Sequence, residues 1–168
     1  ANSPASNSNV RIIDGGAGNV TLNAAGATTI NSLLATNSAA TTIDLGGSRT
    51  LRLGSVANGG VLLAPGSGGL AIGTAVNDGY LTAGGTNNGA GELIFINNSA
   101  NAVNVNAAIV SNGSAAVAVT VGGQGTVNLL GTNVIGGGLF VNGGTVNLSN
   151  TNYFNGATFS NATINFGP

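Results

Sequence analysis

Nine residues, GTVNLLGTN (125–133), return 19 positions later as GTVNLSNTN (144–152), with only Leu130 and Gly131 exchanged, for Ser149 and Asn150. Few folds ask for this. A sandwich or an up-and-down barrel needs alternating strands, but no likeness between one strand and the next. A solenoid does need likeness, because each coil sets the same kind of residue above its equivalent in the coil below. A third version, ATINFG, begins at Ala162, nearly the same interval beyond Gly144.

Within each copy the apolar residues alternate with polar ones. In a strand that places Val127 and Leu129 on one face, Thr126 and Asn128 on the other. The repeat therefore predicts that Val127 stacks on Val146 and Leu129 on Leu148 inside the coil, with Ile164 and Phe166 continuing both rows. Asn128 and Asn147 are expected outside, where stacked amides can form a ladder.

The same alternation marks VTLN, TLRLG, GLAIG, ELIFI, AVNVN and VAVTV, each bounded by Gly or Asn. The Thr-rich stretch 28–40 is the one helix candidate, and it lacks caps. Upstream of position 120 the strands recur at shorter and less regular intervals, as successive faces of coils with two or three strands each. The predicted fold is all-β: a parallel β-helix (β-solenoid) of about 18–20 residues per coil. On that spacing the chain makes eight or nine coils, a rod about 40 Å long. Residues 1–9 read as a polar tail and 10–168 as a single solenoid domain.

Composition excludes several alternatives. Charged residues are 4% of the 168, against roughly 25% in an ordinary soluble protein. Disorder pairs low hydrophobicity with high net charge, whereas this chain is 42% hydrophobic with a net charge of −1. Three arginines and no lysine make no basic patch, so nucleic acid is not an expected partner. No apolar run approaches the ~20 residues of a membrane helix, and this segment is not expected to insert in a membrane. Without cysteine, disulfides do not hold the fold.

The chemistry on offer is thin. The four carboxylates, Asp14, Asp44, Asp78 and Glu92, are scattered, and there is no His, Cys or Lys to build a nucleophile–base pair. Asp14 and Asp78 precede Gly, as turn aspartates do. Asp44 is expected to pair with Arg49 or Arg52. Asp does not recur once per coil, as calcium-binding repeats require. The sequence thus predicts no enzyme, no metal and no cofactor.

Residues 123–149, GQGTVNLLGTNVIGGGLFVNGGTVNLS, resemble the autotransporter-associated β-strand repeat, whose pattern runs GxGTLxLxGxNxYxGGTxVxxGTLxL. Gly125, Thr126, Leu129, Gly131, Asn133, Gly137, Val141, Gly144 and Leu148 carry the match. The pattern's aromatic gives way to Val134-Ile135 here, and Tyr153-Phe154 restore it one coil later. Residues 49–109 are similar to what precedes this repeat in large bacterial surface proteins. The resemblance implies a right-handed solenoid, secretion to the bacterial surface and a structural role, and brings no catalytic residues.

An open-ended solenoid exposes unpaired strand edges and apolar interior, which capping elements or neighbours cover. Neither end of this sequence is patterned as a cap. The expectation is a homopolymer built head to tail. The stretch holding Asn7, Val10, Ile12 and Ile13 is predicted to pair with a neighbour at the coil of Ile164 and Phe166. The alternative is a stalk or passenger segment of an adhesin, whose partner would be a glycan or another surface molecule.

Overall fold

The computed structural model describes residues 7–14, 19–22 and 26–167. Residues 1–6 of the predicted tail lie outside that range. The described chain holds twenty strands and no helix, and the stretch 28–40 holds most of one strand, all of a second and the corner that follows rather than a helix.

The strands climb in seven levels. The first holds β1 (Asn9–Ile12), β2 (Val20–Thr21) and β3 (Ala27–Ile30). The second holds β4 (Ser32–Ala35), β5 (Thr41–Asp44) and β6 (Thr50–Leu53). The third holds β7 (Gly59–Leu63), β8 (Leu70–Ile72) and β9 (Tyr80–Ala83). The fourth holds β10 (Gly91–Asn97), β11 (Val103–Val105) and β12 (Ala108–Ile109). The fifth holds β13 (Val117–Gly123), β14 (Thr126–Leu129) and β15 (Asn133–Ile135). The sixth holds β16 (Leu139–Val141), β17 (Gly144–Leu148) and β18 (Asn152–Phe154). The seventh holds β19 (Ala157–Phe159) and β20 (Ala162–Phe166).

Every third strand pairs. One face is the seven-stranded sheet β1-β4-β7-β10-β13-β16-β19, and a second is β2-β5-β8-β11-β14-β17-β20. The third face is β12-β9-β6-β3 and, higher up, β15-β18. Neighbouring strands in all of them run parallel. The chain is an all-β parallel β-helix.

Register corrects the coil length. On the first face Val10 lies under Leu33, Leu33 under Val61, Val61 under Phe95, Phe95 under Val121, Val121 under Val141 and Val141 under Phe159. Only the last two steps, Val121 to Val141 and Val141 to Phe159, are close to the repeat interval. Those below are longer, and the step from Val61 to Phe95 is the longest. The extra residues sit in corner loops such as 64–69, 73–79 and 84–90, which leave the strands in register. Seven levels replace the expected eight or nine, and six steps of ~4.8 Å make about 29 Å.

The interior follows the alternation. Val127 is in register with Val146 and Leu129 with Leu148, and all four are buried. Each such side chain removed from water stabilises by about 1.5–3 kcal/mol. Among the described residues the buried asparagines sit at strand ends and corners, while the buried threonines Thr41 and Thr82 lie in β5 and β9. Buried Asn97 donates from Nδ2 to the carbonyls of Asn101 (2.9 Å) and Thr126 (2.8 Å), and its Oδ1 accepts from Ser99 N–H. Buried Asn133 accepts from Ile109 N–H at 3.0 Å and donates to Asn152 Oδ1 at 2.7 Å. These amides tie one coil's turn to the next, and that of Asn97 satisfies the carbonyls of Asn101 and Thr126. Asn77, Asn88, Asn150 and Asn161 turn corners at positive φ, which Asn tolerates better than most residues.

Candidate functional site

The predicted assembly residues fall at the two ends of the coil stack. Val10 and Ile12 of β1 point inward at the first level and are half-buried; Asn7 is exposed and Ile13 is 51% exposed. Ile164 and Phe166 of β20 continue the rows of Val146 and Leu148 at the seventh level. Ile164 is half-buried and Phe166 is 71% exposed, because the described chain places nothing above it. Within one molecule the two sets lie six levels apart. They also lie on different faces, β1 on the first and β20 on the second.

Two further inward residues share this situation and were not among the predicted assembly residues. Val20 stands below Ile43 at the foot of the second face, and Phe159 stands above Val141 at the head of the first. They are 41% and 46% exposed. The alternation of Ala157 and Phe159 in NGATFS carried the signal for the second.

The outer side of the second face carries the expected ladder, extended by two rungs. Asn128 donates from Nδ2 to Asn104 Oδ1 at 2.6 Å, Asn147 to Asn128 at 2.6 Å, and Asn165 to Asn147 at 2.7 Å. All three bonds point the same way, with each donor one coil above its acceptor. At the foot of the same column, Asn19 accepts on Oδ1 from Thr42 N–H at 3.1 Å. Asn19, too, accepts from above.

Each carboxylate is engaged locally. Asp14 accepts from Ser38 N–H (2.6 Å) and its hydroxyl (2.9 Å), and Asp44 from Gly46 N–H at 2.7 Å. Glu92 accepts from the Thr120 hydroxyl and from Asn58 Nδ2. Asp78 is buried, and its two oxygens take Gly47 N–H, Thr74 N–H and the Thr74 hydroxyl. Burial pushes its pKa up. The bonds from Thr74, Gly47 and Leu45 outweigh that and hold it below the ordinary aspartate value. Asp44 and Asp78 thereby brace one corner, residues 44–47.

Asp44 bonds its own turn rather than an arginine as expected. Arg52 donates to Asn87 at 3.0 Å and Arg11 to Thr36 at 3.2 Å. Among the described residues no group of three or more His, Cys, Asp or Glu could hold a metal ion, and no helix is long and apolar enough to cross a membrane.

No family model, no curated protein and no solved structure matches the chain.

Proposed function

We propose that this chain is an extracellular structural protein, a β-solenoid subunit that stacks head to tail into a filament at a bacterial surface. One observation carries the reading. The inward columns reach both end levels in the same order, with Val10 and Val20 at the foot, Phe159 and Phe166 at the head, and all four only partly covered. The head of one copy therefore matches the foot of another in both residue type and strand direction. Such a heterologous contact, repeated without closing, builds an open filament. The low charge supports the same reading, since exposed strand edges ordinarily carry charges that block further pairing.

A second reading rests on the resemblance of residues 123–149 to the autotransporter-associated repeat. On it, the coil stack is a rigid stalk within an adhesin, and a glycan or surface partner binds elsewhere on the rod. The sequence pattern favours this reading as much as it favours secretion.

Negative-stain microscopy with sedimentation of residues 1–168 at rising concentration separates the two. Fibres of uniform width above a threshold concentration support the filament. A species that stays monomeric, and binds a glycan or host protein in that state, replaces it with the stalk.

A further inference from the structure

We propose that the junction between copies keeps the sheet register unbroken, and that the second-face amide ladder sets its direction. In this register Asn19 of the next copy donates to Asn165. This rests on the head-to-tail reading above.

The argument begins with polarity. In the three ladder bonds, each Oδ1 accepts from the coil above and each Nδ2 donates to the coil below. Asn165, at the head, donates from Nδ2 to Asn147, and among the described residues its Oδ1 has no partner. Asn19, at the foot, accepts on Oδ1 from Thr42 N–H, and among the described residues its Nδ2 has no partner. Over the described residues the column thus runs from a donor at its foot to an acceptor at its head. Two heads brought together would oppose oxygen to oxygen, and two feet would oppose N–H to N–H. Only head on foot makes a bond, and it has the polarity of the three already present.

The column also fixes which strands meet. Val20 pairs with Ile43, so Asn19 stands one residue before it, below Thr42. Asn19 placed over Asn165 brings Val20 over Phe166, as Leu148 lies beneath it. The first face follows with Val10 over Phe159, continuing the column that runs through Val141. β1 therefore meets β19, and β2 meets β20. The sequence expectation sets β1 against the coil of Ile164 and Phe166 without distinguishing faces. In this register both exposed phenylalanines receive an aliphatic cover, and the outer neighbours Arg11 and Ser160 stand side by side.

That last pair gives the test, because the chain has no cysteine of its own. Adjacent parallel strands bring facing Cα atoms to ~4.8 Å, within disulfide reach. Arg11→Cys combined with Ser160→Cys is assembled in reductant, oxidised and run on a denaturing gel. A ladder of covalent multimers is expected. Arg11→Cys with Asn165→Cys, which reports β1 against β20, is expected to give none. Fibres that fail to cross-link with the first pair, or that cross-link with the second, overturn the register and leave the filament standing. No fibres from the unaltered chain at any concentration overturns the filament, and this inference with it.

Asn19→Asp tests the amide itself. The substitution keeps the acceptor for Thr42 N–H and turns the donor at the junction into a second acceptor. Its critical concentration for assembly is expected to rise about tenfold or more, since an acceptor left facing an acceptor loses its partner. Circular dichroism matching the parent chain keeps a folding defect from accounting for the result. An unchanged critical concentration overturns the Asn19–Asn165 contact.

Discussion

Asn147 donates to the side chain of Asn128 across one coil, at 2.6 Å. The two are the same position of the repeated TVNL, and their backbones are in register. Their inner neighbours, Leu129 and Leu148, stack in the buried interior. A single repeated tetrapeptide thus writes both a dry column and an amide ladder, one on each side of the strand.

Removing a middle rung should show how much the ladder contributes. Asn128→Ala breaks two side-chain bonds, to Asn104 and from Asn147, whereas Asn165→Ala breaks one in an exposed place. Neutral hydrogen bonds contribute about 0.5–1.5 kcal/mol each. Urea denaturation is expected to give roughly 1–3 kcal/mol for Asn128→Ala and about half that for Asn165→Ala. Equal values would mean that the rungs do not act as bonds.

The inner column should grade from deep to open. Leu129→Ala leaves a cavity between full coils and is expected to destabilise by about 2–5 kcal/mol. Leu148→Asp brings an unpaired charge into an apolar interior and should exceed it. Phe166→Ala, at an open level, should change the isolated chain by less than about 1 kcal/mol. Thermal melts of dilute protein would rank the three; a Phe166 effect as large as that of Leu129 would mean that the head level is already covered.

The order Leu129, Leu148, Phe166 was legible in the sequence because strand alternation and coil repetition both act locally and reinforce each other. Coil length was legible only above residue 120. Below it, loops 64–69, 73–79 and 84–90 lengthen the corners freely, since a loop that leaves and rejoins the stack at the same level does not disturb register. The repeat fades there while the sheets continue. Asn128 and Asn147 were foreseen as a ladder, but Asn104 and Asn165 were not, though they share the apolar-Asn alternation. The buried amides of Asn97 and Asn133 were hidden, because an Asn at a corner looks the same in sequence whether its side chain faces water or the carbonyls of the next turn.

Asp78 should make the fold sensitive to acid. Its carboxyl titrates below the unfolded value, so between the two the unfolded chain binds more protons and stability rises with pH. The contribution is complete above the unfolded aspartate pKa and is lost as pH falls through the folded one. Asp78→Asn removes the titration while keeping one acceptor. The urea midpoint of the variant is expected to fall less steeply than the parent's as pH drops from about 5 towards about 2. Parallel acid limbs would place the acid sensitivity in other carboxylates.

The corner glycines should divide by what surrounds them. Gly123 and Gly66 both sit at positive φ, +94° and +75°. At Gly66 a Cβ would meet open space, so Gly66→Ala carries backbone strain alone, about 1 kcal/mol. At Gly123 a Cβ would also drive into the carbonyl of Asn97, one coil below. Asn97 cannot withdraw easily, because its buried amide holds Asn101, Thr126 and Ser99. Gly123→Ala is therefore expected to destabilise by more than about 2 kcal/mol, through strain and the clash together. Hydrogen exchange should show the loosening spread from residue 123 to the turn at 97–101. If the two variants lose equal stability, or if the 97–101 turn stays protected, the close stacking of that corner is not what fixes its glycine.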